Sequence, residues 1–113
     1  MSAITTHVLD TSRGRPAQNV AIVLEWVEGG ASHVLGRGAT DADGRLRELL
    51  PAGQPVQPGT YRLTFHTGAY FAASGVDAFY PEVAILFEVR AAGEHYHVPL
   101  LLNPFGYSTY RGS

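Results

Sequence analysis

A chain of 113 residues, 45% hydrophobic and 16% charged, has the size and composition of one folded domain. Eight Lys and Arg against ten Asp and Glu give a formal net charge of -2, which argues against nucleic acid or an anionic membrane as partner. There is no cysteine, so disulfides, thiolate metal sites and a cysteine nucleophile are excluded.

The 13 glycines and 7 prolines fall mostly between short apolar runs, the pattern of strands separated by turns. The first predicted strand is Ile4 to Leu9, followed by turn chemistry from Asp10 to Pro16. Val20 to Val27 is β-branched and aromatic, and its near-continuous apolarity predicts a strand buried on both faces. Gly29-Gly30 ends it, and His33 to Thr40 is its predicted hairpin partner. In Asp41-Ala42-Asp43-Gly44 the glycine stands where a turn needs a positive φ.

Gln54 to Gly59, with Pro55 and Pro58, reads as a loop. Thr60 to His66 alternates, with Tyr61, Leu63 and Phe65 on one face. Gly68 to Ser74 is the one predicted helix, with Thr67 as its N-cap. Val83, Ile85, Phe87 and Val89 alternate on another strand. His95 to Leu102 is a strand in which Pro99, lacking a donor, predicts an edge or a bulge, and Tyr107 to Tyr110 is the last strand. Seven or eight short strands with one short helix give an all-β, two-sheet sandwich.

Small domains leave much surface for their volume, and with so little charge some of it is expected to be covered by another subunit. Met1 to Arg15 lacks the apolar stretch of a secretory leader, and no run approaches the roughly 20 apolar residues of a membrane helix. The closing Arg111-Gly112-Ser113 is not a peroxisomal Ser-Lys-Leu tail, so a cytoplasmic setting is expected.

Chemistry must come from five histidines, the arginines and the hydroxyls. His33 and His66 read as solvated surface groups. His7 lies inside the first strand. His95-Tyr96-His97 puts two imidazoles on one strand face, half of a zinc site. No further ligand stands at a telling spacing, so no metal is expected. Arg45 and Arg47 share a face after the Asp43-Gly44 turn. The tail from Phe105 is aromatic as far as Tyr110, and buried tyrosines need hydroxyl partners, so it is predicted to dock against the sandwich. No nucleophile elbow, phosphate-cradling loop or paired-carboxylate motif is present, and these residues alone do not reach a substrate.

Three stretches carry a resemblance. They are Thr6-His7-Val8-Leu9-Asp10 through Gly14-Arg15-Pro16-Ala17, then Thr40-Asp41-Ala42-Asp43-Gly44-Arg45, then His95 through the closing Tyr110-Arg111-Gly112-Ser113. In these stretches the chain resembles the transthyretin-like family, in its hydroxyisourate-hydrolysing branch, which the Tyr-Arg-Gly-Ser ending separates from the hormone carriers. The resemblance implies a transthyretin-like sandwich assembled as a homotetramer, with active sites at the dimer–dimer interface. It implies His7, Arg45 and His97 as catalytic residues, and His7, Arg45, Tyr110, Arg111, Gly112 and Ser113 as substrate-binding residues. Arg47 and His95 match no family role and are left aside.

The implied reaction is metal-free and cofactor-free attack of water on a ring amide of 5-hydroxyisourate, giving 2-oxo-4-hydroxy-4-carboxy-5-ureidoimidazoline. A histidine suits deprotonation of water, and an arginine suits both a developing oxyanion and a flat, oxygen-rich purine. Which of His7 and His97 is the base is left open by the sequence. The alternatives are a non-catalytic small-ligand carrier of the same fold and a non-catalytic sandwich module of a larger protein.

Overall fold

The computed structural model describes residues 2–113. In chain order the elements are β1 (Ile4–Asp10), β2 (Arg15–Pro16), β3 (Ala21–Glu28), β4 (Ala31–Ala39), β5 (Arg45–Leu46), β6 (Gly59–Phe65), α1 (Thr67–Ala72), β7 (Val83–Val89), β8 (Tyr96–Asn103) and β9 (Gly106–Thr109). The strands form two sheets. One runs β4-β3-β6-β7; the other runs β2-β1-β8-β9, with β5 also pairing with β1. The all-β sandwich with one short helix is therefore as expected. The count of nine strands among the described residues exceeds seven or eight because β2, inside the predicted Asp10–Pro16 turn, and β5 each contribute two residues.

The period-two pattern decides what each strand buries. Tyr61, Leu63 and Phe65 of β6 and Ile22 and Leu24 of β3 face inward and meet Ile4 and Val8 of β1 and Leu100 and Leu102 of β8. These nine side chains are at most 2% exposed, so water is excluded from the space between the sheets. Tyr61 is accommodated there because its hydroxyl donates to the Gln57 carbonyl at 2.8 Å. Val83, Ile85, Phe87 and Val89 face the same way from β7, at the sheet's edge.

Three local expectations need correction. β3 is not buried on both faces: Val23 and Glu25 sit half-buried on the outer face, where Glu25 pairs with Arg62 at 3.0 Å. An apolar run records composition; whether a second layer covers its outer face is decided elsewhere in the chain. Thr67 does not cap α1. His66 occupies the cap position without a side-chain cap hydrogen bond, and Thr67 is the helix's first residue, its Oγ1 buried with no partner among the described residues.

Pro99 lies neither on an edge strand nor at a bulge. β8 is flanked by β1 and β9, in unbroken register with both. The ladder to β9 stops at Leu100↔Thr109 and resumes at the isolated bridge His97↔Gly112. Pro99 falls in that gap, where its missing N–H costs no bond, and its carbonyl accepts from Thr109 Oγ1 at 2.7 Å. Among the described residues no helix is long and apolar enough to cross a membrane.

Candidate active site

The site grows from a turn. Asp41 Oδ1 accepts from the amides of Asp43 at 2.9 Å and Arg45 at 3.0 Å, and the Gly44 amide donates to the Asp41 carbonyl at 2.9 Å. The bond from the Arg45 amide, more than that from Asp43, holds the Asp41 carboxyl below its ordinary range. Gly44 has φ +76°, as its place in the turn predicts. It must also be glycine for space, since a Cβ there would stand 2.4 Å from the Val8 carbonyl oxygen.

That close approach lets β5 pair with β1, so Arg45 lies directly opposite His7. The turn also presents the Asp43 carbonyl to His7 Nε2 at 2.9 Å. A carbonyl only accepts, so His7 donates from Nε2, and its Nδ1 is the free nitrogen when the ring is neutral.

β1 and β8 are parallel, with Thr5 opposite His97 and His7 opposite Pro99. Thr5, His7, His97 and Pro99 consequently share the outer face of the sheet, while Ile4, Thr6, Val8, Tyr96, Val98 and Leu100 face the core. Thr5 Oγ1 lies 2.8 Å from His97 Nδ1, which leaves Nε2 of His97 without a hydrogen-bond partner among the described residues. Burial, followed by the Coulomb fields of Arg45, His95 and His7, holds the His97 pKa below its ordinary 6.5. His97 is thus neutral near pH 7 and able to accept a proton.

A cleft of about 110 Å³ is lined by Thr5, Thr6, Arg45, Arg47, His97 and Ser113. An apolar hollow of about 350 Å³ between Trp26, Leu35, Leu50, Val56 and Tyr61 is larger. His33 is its one titratable group besides the Tyr61 phenol, whereas the smaller cleft gathers an imidazole and two guanidinium groups.

Of the residues singled out in the sequence, Arg45, His97 and Ser113 line the cleft, and His7 stands beside it through its pairing with Arg45. Gly112, next to Ser113, packs directly on His97. Its amide donates to the His97 carbonyl at 2.8 Å, and a Cβ at this position would meet His97 Cδ2 at 2.6 Å. The docked tail is as predicted, but its anchors differ from a buried tyrosine. Tyr110 is 58% exposed, and Arg111 does not line the cleft. The Arg111 guanidinium lies 4.5 Å over the Tyr96 ring and pairs with Glu94 at 2.9 Å.

Sequence reasoning missed Thr5, whose hydroxyl holds His97, and set aside Arg47, which lines the cleft. The alternation Thr5-Thr6-His7 carried a signal for Thr5, since it shares the face of His7. His33 is exposed on β4 and His66 half-buried before α1, both away from this cleft. No group of three His, Asp or Glu placed to hold a metal occurs among the described residues.

Fold and site together define an all-β sandwich protein with a histidine–arginine cleft on the outer face of its five-stranded sheet. The sequence profile of the HIUase/Transthyretin family matches residues 4–112, and the chain belongs to that family. It is 49% identical to 5-hydroxyisourate hydrolase 2 of Rhizobium meliloti, over 97% of this chain and 95% of that one. The solved Klebsiella pneumoniae 5-hydroxyisourate hydrolase superposes with a TM-score of 0.83 at 38% identity, covering 97% of this chain and 98% of that one. Sea bream transthyretin in complex with thyroxine superposes with a TM-score of 0.90 at 31% identity, covering 98% of this chain and 95% of that one.

Proposed function

We propose that this chain is a hydrolase that opens 5-hydroxyisourate with water to 2-oxo-4-hydroxy-4-carboxy-5-ureidoimidazoline, a step of urate breakdown. The observation that carries the reading is the convergence of Arg45 and His97 on one cleft, with His97 kept neutral and its Nε2 free. The 49% identity to a hydroxyisourate hydrolase supports the same substrate. The fold does not choose between enzyme and carrier, because a thyroxine-binding transthyretin shares it. The histidine–arginine cleft favours the enzyme.

In this mechanism His97 Nε2 takes a proton from water as the oxygen attacks a ring carbonyl. Arg45 stabilises the oxyanion that develops and clamps the planar ring. His7, fixed by the Asp43 carbonyl, orients water and substrate through its free Nδ1. Tyr110, Gly112 and Ser113 bound the substrate from the tail side, and Arg111 holds the tail to Tyr96 and Glu94. Proton transfer, positioning and charge stabilisation are all assigned to side chains, so no metal or organic cofactor enters.

The active assembly in this reading is a homotetramer with the cleft at its dimer–dimer interface. Two features support it: the cleft opens on an outer sheet face, and the tail that reaches it with Ser113 carries the exposed Tyr110. The test pairs size-exclusion chromatography coupled to light scattering with a spectroscopic assay on freshly generated hydroxyisourate. Accelerated, saturable decay of the substrate by a tetramer is the expected result. Tight thyroxine binding with no acceleration would replace the enzyme by a carrier.

A further inference from the structure

Behind the cleft lies a hydrogen-bonded array that the mechanism above leaves unused. Thr5 Oγ1 touches two imidazoles, His97 Nδ1 at 2.8 Å and His95 Nε2 at 3.0 Å. The two rings are nearly parallel, 20° apart in plane and 6.4 Å between centroids. Thr5 is only 4% exposed, and His97 is half-buried. His95 is exposed, and it lines a separate open hollow of about 400 Å³ with Ser2, Ala92 and Glu94.

A threonine hydroxyl has one proton and two lone pairs. With His97 protonated on Nδ1 and His95 bare on Nε2, it accepts from the first imidazole and donates to the second, and the three groups then make a wire with a direction. One end is in the cleft and the other in solvent. The groups facing His97 are Arg45, His95 and His7, all of which disfavour a positive ring. His95, at the other end, is exposed, so a positive ring there is hydrated by solvent.

We propose that Thr5 and His95 form a charge relay for His97, moving its transient positive charge to the exposed ring during hydrolysis. This rests on the hydrolase reading. When His97 Nε2 takes the water proton and the new C–O bond forms, the Nδ1 proton of His97 passes to Thr5 Oγ1. The hydroxyl proton of Thr5 passes to His95 Nε2 in the same shift. The charge then sits on His95, away from Arg45. As the ring C–N bond breaks, the shift runs back, and the Nε2 proton of His97 goes to the leaving nitrogen. Water has then supplied one oxygen to the carbonyl carbon and one proton to the nitrogen. The carboxylic acid so formed ionises to solvent, and all three relay groups return to their starting state. Thr5 and His95 touch no reacting atom and are positioning residues.

The experiment compares the full-length wild type with Thr5→Val, Thr5→Ser and His95→Ala. It reads kcat and KM across pH, and the tautomer of His97 by nitrogen-15 NMR of labelled histidine. Thr5→Ser keeps the hydroxyl and stays within about threefold of wild type. Thr5→Val and His95→Ala each lower kcat about tenfold, with KM nearly unchanged, the size of loss expected when a proton-transfer partner is removed. Added imidazole restores His95→Ala, because a small base can take the vacated place. In the wild type His97 carries its neutral proton on Nδ1, and Thr5→Val abolishes that single tautomer.

Equal losses in Thr5→Ser and Thr5→Val overturn the relay, as does wild-type kcat in His95→Ala or a loss that imidazole does not relieve. An unchanged His97 tautomer in Thr5→Val overturns it as well. His95 is exposed, so its variant reports even if a Thr5 variant misfolds. A wild type without turnover overturns the hydrolase reading and the relay's catalytic role with it; the NMR arm then still shows whether the wire exists.

Discussion

The amide of Gly112 donates a 2.8 Å hydrogen bond to the carbonyl of His97, which clamps the tail to the strand that carries the proposed base. The contact leaves no room for a side chain: a Cβ on Gly112 would stand 2.6 Å from His97 Cδ2 and 3.1 Å from Pro99 Cγ. Gly112→Ala should therefore displace the imidazole or the tail. Turnover is expected to fall about tenfold or more, since displacements near an ångström carry rate losses of that order. Thermal unfolding should change little, because Gly112 belongs to no core contact. An Ala variant with wild-type kcat would show that the clamp does not position His97.

Among the proposed catalytic groups, His7→Ala, Arg45→Ala and His97→Ala should each lower kcat/KM about a hundredfold or more, the scale of losing a general base or an oxyanion partner. All three lie half-buried on the outer face of the sheet, so the sandwich should survive their truncation. Circular dichroism establishes folding, and the hydroxyisourate assay establishes the loss. Near-normal turnover in a folded variant removes that residue from the mechanism.

The pH dependence follows from His97. Burial first, then Arg45, His95 and His7, lower its pKa from 6.5, so it stays neutral to a pH below that of a free imidazole. The acid limb of kcat/KM is expected below pH 6.5, with a plateau above it. Arg45→Gln removes one of these positive neighbours and should move that limb to higher pH in whatever activity remains. Stability follows the same sign. A depressed folded pKa means the native state binds fewer protons than the unfolded chain. The associated stability is present above pH 6.5 and lost as pH falls through the folded pKa. An acid limb above 6.5 in the wild type would contradict the assignment of His97 as base.

Removing Tyr110 to Ser113 should leave a folded sandwich that has lost most activity. The deletion costs the Gly112–His97 hydrogen bond and the Arg111 contacts to Glu94 and Tyr96. The Arg111–Glu94 pair is more than half exposed on both sides and contributes little. A stability loss of about 1–2 kcal/mol is expected from the hydrogen bond and ring contact together. Light scattering, thermal melts and the assay separate the outcomes. A monomer would place the tail in the assembly interface, and full activity would remove it from the site.

Activity should survive exhaustive chelation. The facing nitrogens of the His95/His97 pair, Nε2 and Nδ1, both meet the Thr5 hydroxyl instead of converging on an ion, and no third ligand stands by among the described residues. Activity lost with chelator and restored by zinc would overturn this view of the pair.

Much of this molecule is decided locally and can be read from the chain. The inward set Tyr61, Leu63 and Phe65 follows from a period of two. The turn that carries Arg45 follows from Asp41 and Gly44, a side chain that binds nearby amides and a residue free to take φ +76°. The ending Tyr110-Arg111-Gly112-Ser113 pointed to the family by resemblance. What the chain could not display is which edges pair. The parallel register of β1 with β8 sets Thr5 beside His97 across 92 positions of sequence, and no local pattern encodes it. The same pairing makes β8 an interior strand despite Pro99. The half-exposed outer face of β3 likewise depends on what the rest of the fold leaves uncovered. Periodicity and turn chemistry are properties of neighbouring residues, whereas register and burial are properties of surfaces that meet only after the whole sandwich closes.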